Sequence, residues 1–254
     1  RYINDNRKSM IEYTINDFKE KFFEELNSFI IDSENLKEPY DEQIIEAIDG
    51  MKEIRDEYLC FIENLIFGYE SFNSELIIEF FEKIFAYSEY KGSGNSYTQC
   101  ITEHFEFIIT EMFIWTNILL FKYKKYTIIH EILCTKYLIK SKYKAEPIFY
   151  VGFRFSLESM EYRNSRMQLN RVSITADKLI ERAIYKGKDY KDELVDIDLI
   201  LYYISKSNKA IPYEWFPVTY VYKERFDKVE FISKLVRKKH FEDVKVLFNV
   251  NTVE

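Results

Sequence analysis

Glycine and proline are scarce in this sequence, which has six glycines and four prolines among 254 residues. Glycine interrupts helices through its backbone freedom, and proline does so through its missing N–H group. Their scarcity argues against a chain built from many tight turns and favours long, uninterrupted helices.

Cysteine is also rare, and its three positions are Cys60, Cys100 and Cys134. The number is odd, the spacing is wide and no CxxC pair occurs, so a disulfide scaffold is not expected. The polar start at Arg1 shows no signal peptide. We therefore expect a reduced, cytoplasmic protein, and the missing initiator Met suggests a fragment or processed chain beside a partner domain.

Catalytic and metal-binding motifs are missing as well. The three histidines, His104, His130 and His240, form no HxxxH or HExxH pattern, and GxSxG, GxxxxGK[ST] and GxGxxG do not occur. Acid-x-Lys strings at 189–191 and 243–245 match metal-dependent nucleases only at chance level. We expect no metal site, no cofactor and no catalytic residue, and a divergent nuclease is a minor alternative.

The longest apolar stretch, 105–121, is interrupted by Glu106, Glu111 and Asn117. Two carboxylates would cost several kcal/mol in hydrocarbon. The stretch is therefore expected to be a buried core helix rather than a membrane span.

The composition is typical of a globular protein, and the acidic and basic residues are unevenly distributed along the chain. Its residues are 47% hydrophobic and 31% charged. Residues 1–90 carry 9 Lys and Arg against 22 Asp and Glu, whereas 91–254 carry 27 against 21. The boundary coincides with the flexible cluster 92–96, so the two parts are expected to have different neighbours.

Hydrophobic periodicity predicts an all-α fold with at most minor β structure. Residues 1–91 are expected to form an acidic three-helix bundle, and 97–254 a larger helical domain around a central helix at 97–122. Within 190–222 the alternation around Val195 also allows a strand, although a helix is favoured for 190–205. The predicted helices of the bundle are 7–31, 41–67 and 74–90.

Half of the ten arginines fall in one segment, 154–182. Arginine suits planar, bidentate contacts with phosphate or carboxylate. The segment is either a binding site for nucleic acid or a nucleotide, or a structural element paired with acidic side chains, which we favour. The candidate ligand-binding residues are Arg154, Arg163, Arg166, Arg171 and Arg182.

An aromatic loop lies between Pro212 and Pro217. Tyr213, Trp215 and Phe216 would form a binding hot spot if exposed. The alternative, which we favour, is that they fill a gap between helices.

The strings YRNSR at 162–166, LNRVSITAD at 169–177 and WFPVTY at 215–220 resemble helical regions appended to effector domains of bacterial anti-phage proteins. The resemblance implies a sensing or assembly role beside a separate effector. We therefore expect a non-catalytic interaction module that binds a protein partner or itself, without membrane contact, with nucleic-acid or nucleotide binding as the alternative.

Overall fold

The computed structural model describes residues 2–32, 36, 39–89, 99–139, 147–224 and 228–248, with 2–7 and 99 described as backbone only. Before residue 90 these residues form four helices that turn back on one another through short connections. The helices are α1 (Tyr2–Asn27), α2 (Tyr40–Gly50), α3 (Lys52–Gly68) and α4 (Ser74–Phe85).

The second part of the chain is helical too, and the all-α prediction is confirmed. Its only strands in the described ranges are β1 (Ile184–Tyr185) and β2 (Lys188–Asp189), an antiparallel hairpin whose turn contains Gly187 at φ 72°. The helices are α5 (Glu103–Lys122), α6 (Tyr126–Cys134), α7 (Glu158–Arg166), α8 (Ile174–Glu181), α9 (Lys191–Ser207), α10 (Glu230–Ser233) and α11 (Lys238–Val244).

Helix α5 is the centre of the molecule. It is apolar on nearly every side, and helices α2, α3 and α9 pack against it. By length and composition the stretch Cys100–Lys122 would also suit a membrane span, but 89% of its apolar window is buried inside the fold. Its apolar surface is therefore covered by the chain's own helices, as in a core helix.

The two parts of the chain share one hydrophobic core. Phe81 of α4 packs edge-on against Phe113 of α5, with ring centroids 5.1 Å apart, and the buried side chains of both parts belong to one cluster. The proposed boundary at 92–96 lies outside the described residues. The division into 1–91 and 97–254 therefore stays a prediction.

The predicted helix 41–67 is divided into two helices, α2 and α3. The described part of 1–91 therefore contains four α-helices where three were expected, and the predicted helix 74–90 corresponds to α4. Met51 leaves helical geometry at ψ 8° between α2 and α3. Immediately before it, a Cβ on Gly50 would lie 2.9 Å from Cε1 of Phe29. The missing side chain lets Phe29 approach the backbone at the break.

Helix α6 ends at Cys134, and shortly after it the chain pairs with a distant segment. Tyr137 N donates to Ile148 O at 2.8 Å, and Ile148 N donates to Tyr137 O at 3.0 Å. Ser173 Oγ caps α8 by accepting from Ala176 N at 3.1 Å. The helix favoured for 190–205 is confirmed as α9.

Candidate interaction surface

The aromatic loop after α9 is anchored through the buried carboxylate of Asp198. Trp215 Nε1 donates to Asp198 Oδ1 at 2.7 Å. Thr219 donates to Asp198 Oδ2 through its N at 2.9 Å and its Oγ1 at 2.7 Å. Trp215 N also donates to Ser205 Oγ at 2.9 Å. Four hydrogen bonds thus tie the loop to one helix.

Asp198 is an internal acceptor. Burial raises its pKa, while the hydrogen bonds from Thr219 and Trp215 oppose that rise. Trp215 is fully buried and its ring stacks near that of Tyr150, with centroids 5.8 Å apart. Trp215 is therefore a core residue, as the favoured interpretation of the loop predicts, and of the interaction candidates it is the one that a partner could not reach here.

Other aromatic side chains of the loop, and one on the turn that follows it, are exposed to solvent. Tyr213 is 75% exposed, Phe216 is 69% exposed and Tyr220 is 59% exposed. Tyr220 lies on the 3-10 turn Val218–Tyr222, together with the exposed Val221. Of the three aromatic candidates in the sequence, Tyr213 and Phe216 thus occupy positions that a partner could reach.

Phe216, Tyr220 and Val221 border a groove of about 420 Å³. One wall is the extended segment 154–157, and another is the connection into α8, where the exposed Val172 lies. Apolar groups from Leu157, Phe216 and Val221 cover much of the lining, and the hydroxyls of Ser156, Ser173 and Thr175 contribute polar atoms. We call this the Arg154 groove, after its one arginine.

Arg154 joins two predicted features, the arginine segment and the aromatic loop. Its Nε donates to Phe216 O at 3.1 Å, its Nη1 donates to Phe155 O, and its guanidinium carbon lies 6.0 Å from the Phe216 ring centroid. Burial lowers its pKa, and the charge of Asp198 opposes that effect. No carboxylate of the described chain forms an ion pair with Arg154.

A second, open groove of about 530 Å³ lies on the other side of the same turn. Tyr220 and Val221 line both grooves. Tyr203 of α9 and Lys228 add to the second one. The turn is therefore an apolar ridge between two depressions.

Two candidates of the arginine segment hold the N-terminus of α2. Arg163 Nη1 lies 3.1 Å from Asp41 Oδ2, and Arg166 Nη2 lies 2.7 Å from the same atom. Both arginines also pair with the half-exposed Glu42. Asp41 itself is fully buried, so these pairs join α7 to the acidic part of the chain.

The other two candidates pair with carboxylates of their own neighbourhood. Arg171 Nη2 donates to Asp177 Oδ1 at 3.0 Å on the surface. Arg182 Nη2 donates to Glu111 Oε2 at 3.0 Å inside the core. The five arginines are thus distributed over four separate places, and four of the five already contact a carboxylate.

The sequence analysis did not identify Arg55, which contacts the same buried carboxylate, Glu111, as Arg182. Arg55 Nη1 donates to Glu111 Oε1 at 2.6 Å, and all three side chains are buried. A signal was present, because Arg55 lies within the predicted helix 41–67, next to the apolar Ile54 and four positions after Met51. A buried arginine needs a buried acid, and Glu111 is such an acid in the central helix.

Cys134 and His130 bring a thiol and a base together on α6, with Sγ 3.5 Å from Nδ1. Burial raises the pKa of the Cys134 thiol, which disfavours the thiolate that a nucleophile needs. Asp189, at one of the acid-x-Lys strings, is exposed and pairs with Lys191 at 3.7 Å. Within the described ranges, no three His, Cys, Asp or Glu side chains are placed to hold a metal ion.

The anchored loop and its two grooves are therefore the feature that best combines exposed apolar groups with defined polar ones.

No protein-family model, curated protein or solved structure was found to match this chain.

Proposed function

We propose that this chain is a non-catalytic helical module that binds a protein partner, in a sensing or assembly role, through the ridge and grooves around the aromatic loop. The observation that carries the proposal is the anchoring of this loop by Asp198. The anchor holds Trp215 inside while Tyr213, Phe216 and Tyr220 stay in solvent.

Exposed aromatic side chains on a fixed backbone suit an interface for two reasons. Aromatic side chains bury about 150–250 Å² each when covered, so Phe216 and Tyr220 together offer a large apolar contact. A loop that is already ordered loses little conformational entropy on binding, so more of that gain remains as affinity. Tyrosine is also among the residues that dominate binding energy at interfaces.

Further support comes from the resemblance of 162–166, 169–177 and 215–220 to helical regions appended to effector domains of anti-phage proteins. The second and third of these strings contribute residues to the lining of the Arg154 groove. The module would then transmit a partner's binding to an effector on a larger protein of a bacterial cytoplasm. A second copy of the chain is the other candidate partner.

Binding of nucleic acid or a nucleotide by the arginine segment has less support. Four of its five arginines already contact carboxylates, which neutralises the charge that phosphate would need. A divergent nuclease has less support still, because the acid at Asp189 pairs with a surface lysine.

Site-specific photocrosslinking tests the proposal. A benzophenone amino acid replaces Tyr220 on the ridge or, as the control, Phe67, which is 81% exposed elsewhere. In cells that produce the protein, we expect a discrete protein adduct from position 220 and none from position 67. Light scattering of the purified chain distinguishes self-association from a foreign partner. No adduct from position 220, or the same adduct from both positions, would refute the proposal.

A further inference from the structure

Arg154 carries a positive charge for which the described chain supplies no ion-pair partner. Its Nε and Nη1 are used by the backbone oxygens of Phe216 and Phe155, whereas its Nη2 donates to no acceptor in the described ranges. The other four arginines of the segment each contact a carboxylate. Arg154 is thus held in place by two backbone carbonyl groups, and its Nη2 remains able to donate hydrogen bonds to a ligand.

The position of this charge is unusual for a protein surface. Arg154 is half-buried in the groove wall, between the ring of Phe216 and the segment that leads to Leu157. A guanidinium in such a place has lost part of its hydration without gaining a direct ion pair. The nearby charge of Asp198 favours the ionised guanidinium, but the Asp198 carboxylate accepts its hydrogen bonds from Trp215 and Thr219. An anion entering the groove would supply that counter-charge in surroundings less polar than water, where the attraction is stronger.

The rest of the groove limits what that anion can be. Glu161 lies on the lining and is exposed, so the groove holds one arginine and one acid. The groove offers a phosphate dianion one arginine, and Glu161 repels two negative charges more strongly than the single charge of a carboxylate. A single carboxylate matches a single guanidinium, while Val172, Phe216 and Val221 offer contacts to an apolar neighbour.

The shape favours an extended peptide over a small molecule. The Arg154 groove is open, and the second groove continues beyond the shared ridge of Tyr220 and Val221. A peptide in extended conformation advances about 3.3 Å per residue and alternates its side chains. It can therefore place one side chain at Arg154 and others on the ridge and in the second groove.

We propose that the Arg154 groove binds an Asp or Glu side chain of an extended partner peptide, flanked by large apolar residues that cover Phe216 and the ridge. This inference rests on the proposed interaction function and names the chemistry of the partner. Arg154 gives specificity through its charge, and the aromatic side chains give most of the contact area.

A random nine-residue peptide library, displayed on phage and selected against the whole chain, tests the inference. We expect the selected peptides to share an acidic residue within two positions of an aromatic or large aliphatic one. By fluorescence anisotropy, changing that acid to its amide should weaken binding about tenfold, as for loss of one charged hydrogen bond. Equal binding of acid and amide peptides, or selected peptides without an acid, would overturn it.

Variants of the chain separate this inference from the function on which it rests. Phe216→Ala should abolish peptide binding, whereas the matched surface variant Phe67→Ala should leave it unchanged. If Phe216→Ala abolishes binding but the acid of the peptide does not matter, the interaction function stands and the carboxylate site is wrong. If no peptide is selected, or Phe216→Ala has no effect, both are wrong.

Arg154→Gln should remove the preference for the acid peptide over its amide. Because Arg154 also donates to Phe216 O, this variant could loosen the loop, which the fluorescence of the buried Trp215 would report. Glu161→Arg avoids that difficulty, since it adds a positive charge at the exposed rim and leaves the contacts of Arg154 intact. It should strengthen binding of the acid peptide several-fold and leave the amide peptide unchanged. No such difference would overturn the inference.

Discussion

Arg182 Nη2 lies 3.0 Å from Glu111 Oε2, in a pair of which Glu111 is fully buried and Arg182 only 4% exposed. Arg55 contacts the other oxygen of the same carboxylate, and Arg182 Nη1 donates to Ile48 O at 2.9 Å. Four segments thus meet at one acid in the central helix: α2, α3, α5 and the end of α8. Arg182 therefore has a structural role here: its guanidinium is buried and donates to Glu111 and to Ile48 O, so it is not available to bind a phosphate ligand.

Replacing Glu111 by Gln should destabilise the fold strongly. Two buried guanidinium groups would lose the fully buried acid that they share and would keep the more exposed Asp56 and Asp49, a change that typically costs about 3–5 kcal/mol. The free energy of unfolding from urea titration measures the effect. Glu57→Gln, an exposed position on α3, is the control and should stay within about 0.5 kcal/mol of the unaltered chain. A small loss for Glu111→Gln would contradict the role given to this cluster.

Glu63 should make stability depend on acid. Lys122 Nζ at 2.8 Å, Lys186 Nζ at 2.7 Å and Tyr123 Oη at 3.0 Å all donate to its carboxylate. Burial opposes ionisation, but these hydrogen bonds prevail and lower the pKa of Glu63 to about 2. Since the folded pKa lies below the unfolded value of 4.5, this stabilisation is present above pH 4.5 and is lost as pH falls towards 2.

Comparing Glu63→Gln with the unaltered chain checks this. Because the two lysines are partly solvated, we expect a difference of about 1–2 kcal/mol in the free energy of unfolding at pH 6. The difference should shrink between pH 4.5 and pH 2. A difference that is the same at pH 6 and at pH 2.5 would show that the ionised carboxylate is not its source.

Asp198→Ala should release the aromatic loop from α9. The change leaves the N–H of Trp215 and two donors of Thr219 without their acceptor. Each buried donor left unpaired costs about 1–3 kcal/mol, so the loop is expected to open locally. A red shift of tryptophan fluorescence and faster amide hydrogen exchange at 215–219 would report the opening. Glu193→Ala, at an exposed position of α9, should change neither.

Arg166→Gln should destabilise the chain more than Arg171→Gln. Arg166 contacts the fully buried Asp41, so its loss leaves a buried carboxylate with one partner fewer. Arg171 pairs on the surface with Asp177, where water can replace it. Thermal unfolding midpoints measure the difference.

Binding of a fluorescent RNA should be equally weak for both variants, and a selective loss for Arg163→Gln or Arg166→Gln would favour the nucleic-acid interpretation instead.

The helical character of the fold could be predicted from local pattern. The spacing of apolar residues predicts α1, α4 and α5, and a helix is favoured over a strand for 190–205, which is α9. These features depend on residues within a turn or two of each other, so the sequence contains all the information they need. The break at Met51 was missed because the packing beside it, the approach of Phe29 to Gly50, joins residues that are 21 positions apart.

The candidate site was predictable only in part. The sequence singled out the arginine segment and the aromatic loop, but it could not show that Arg154 alone among the five lacks a carboxylate. Nor could it separate Trp215 from Phe216, which are adjacent in the chain. Asp198 decides that difference by accepting the indole N–H, and this places one ring inside and leaves the other outside.

By itself the sequence determined the helical architecture, the central position of the helix at 103–122 and the absence of recognised catalytic motifs, because local periodicity and residue type are sufficient for these. Tertiary structure alone decided which charges are neutralised and which aromatic groups remain in solvent. Arg182 and Glu111 are 71 positions apart, and Arg154 and Phe216 are 62 apart. Contacts over such separations follow from how whole helices pack, and no local pattern in the chain encodes them.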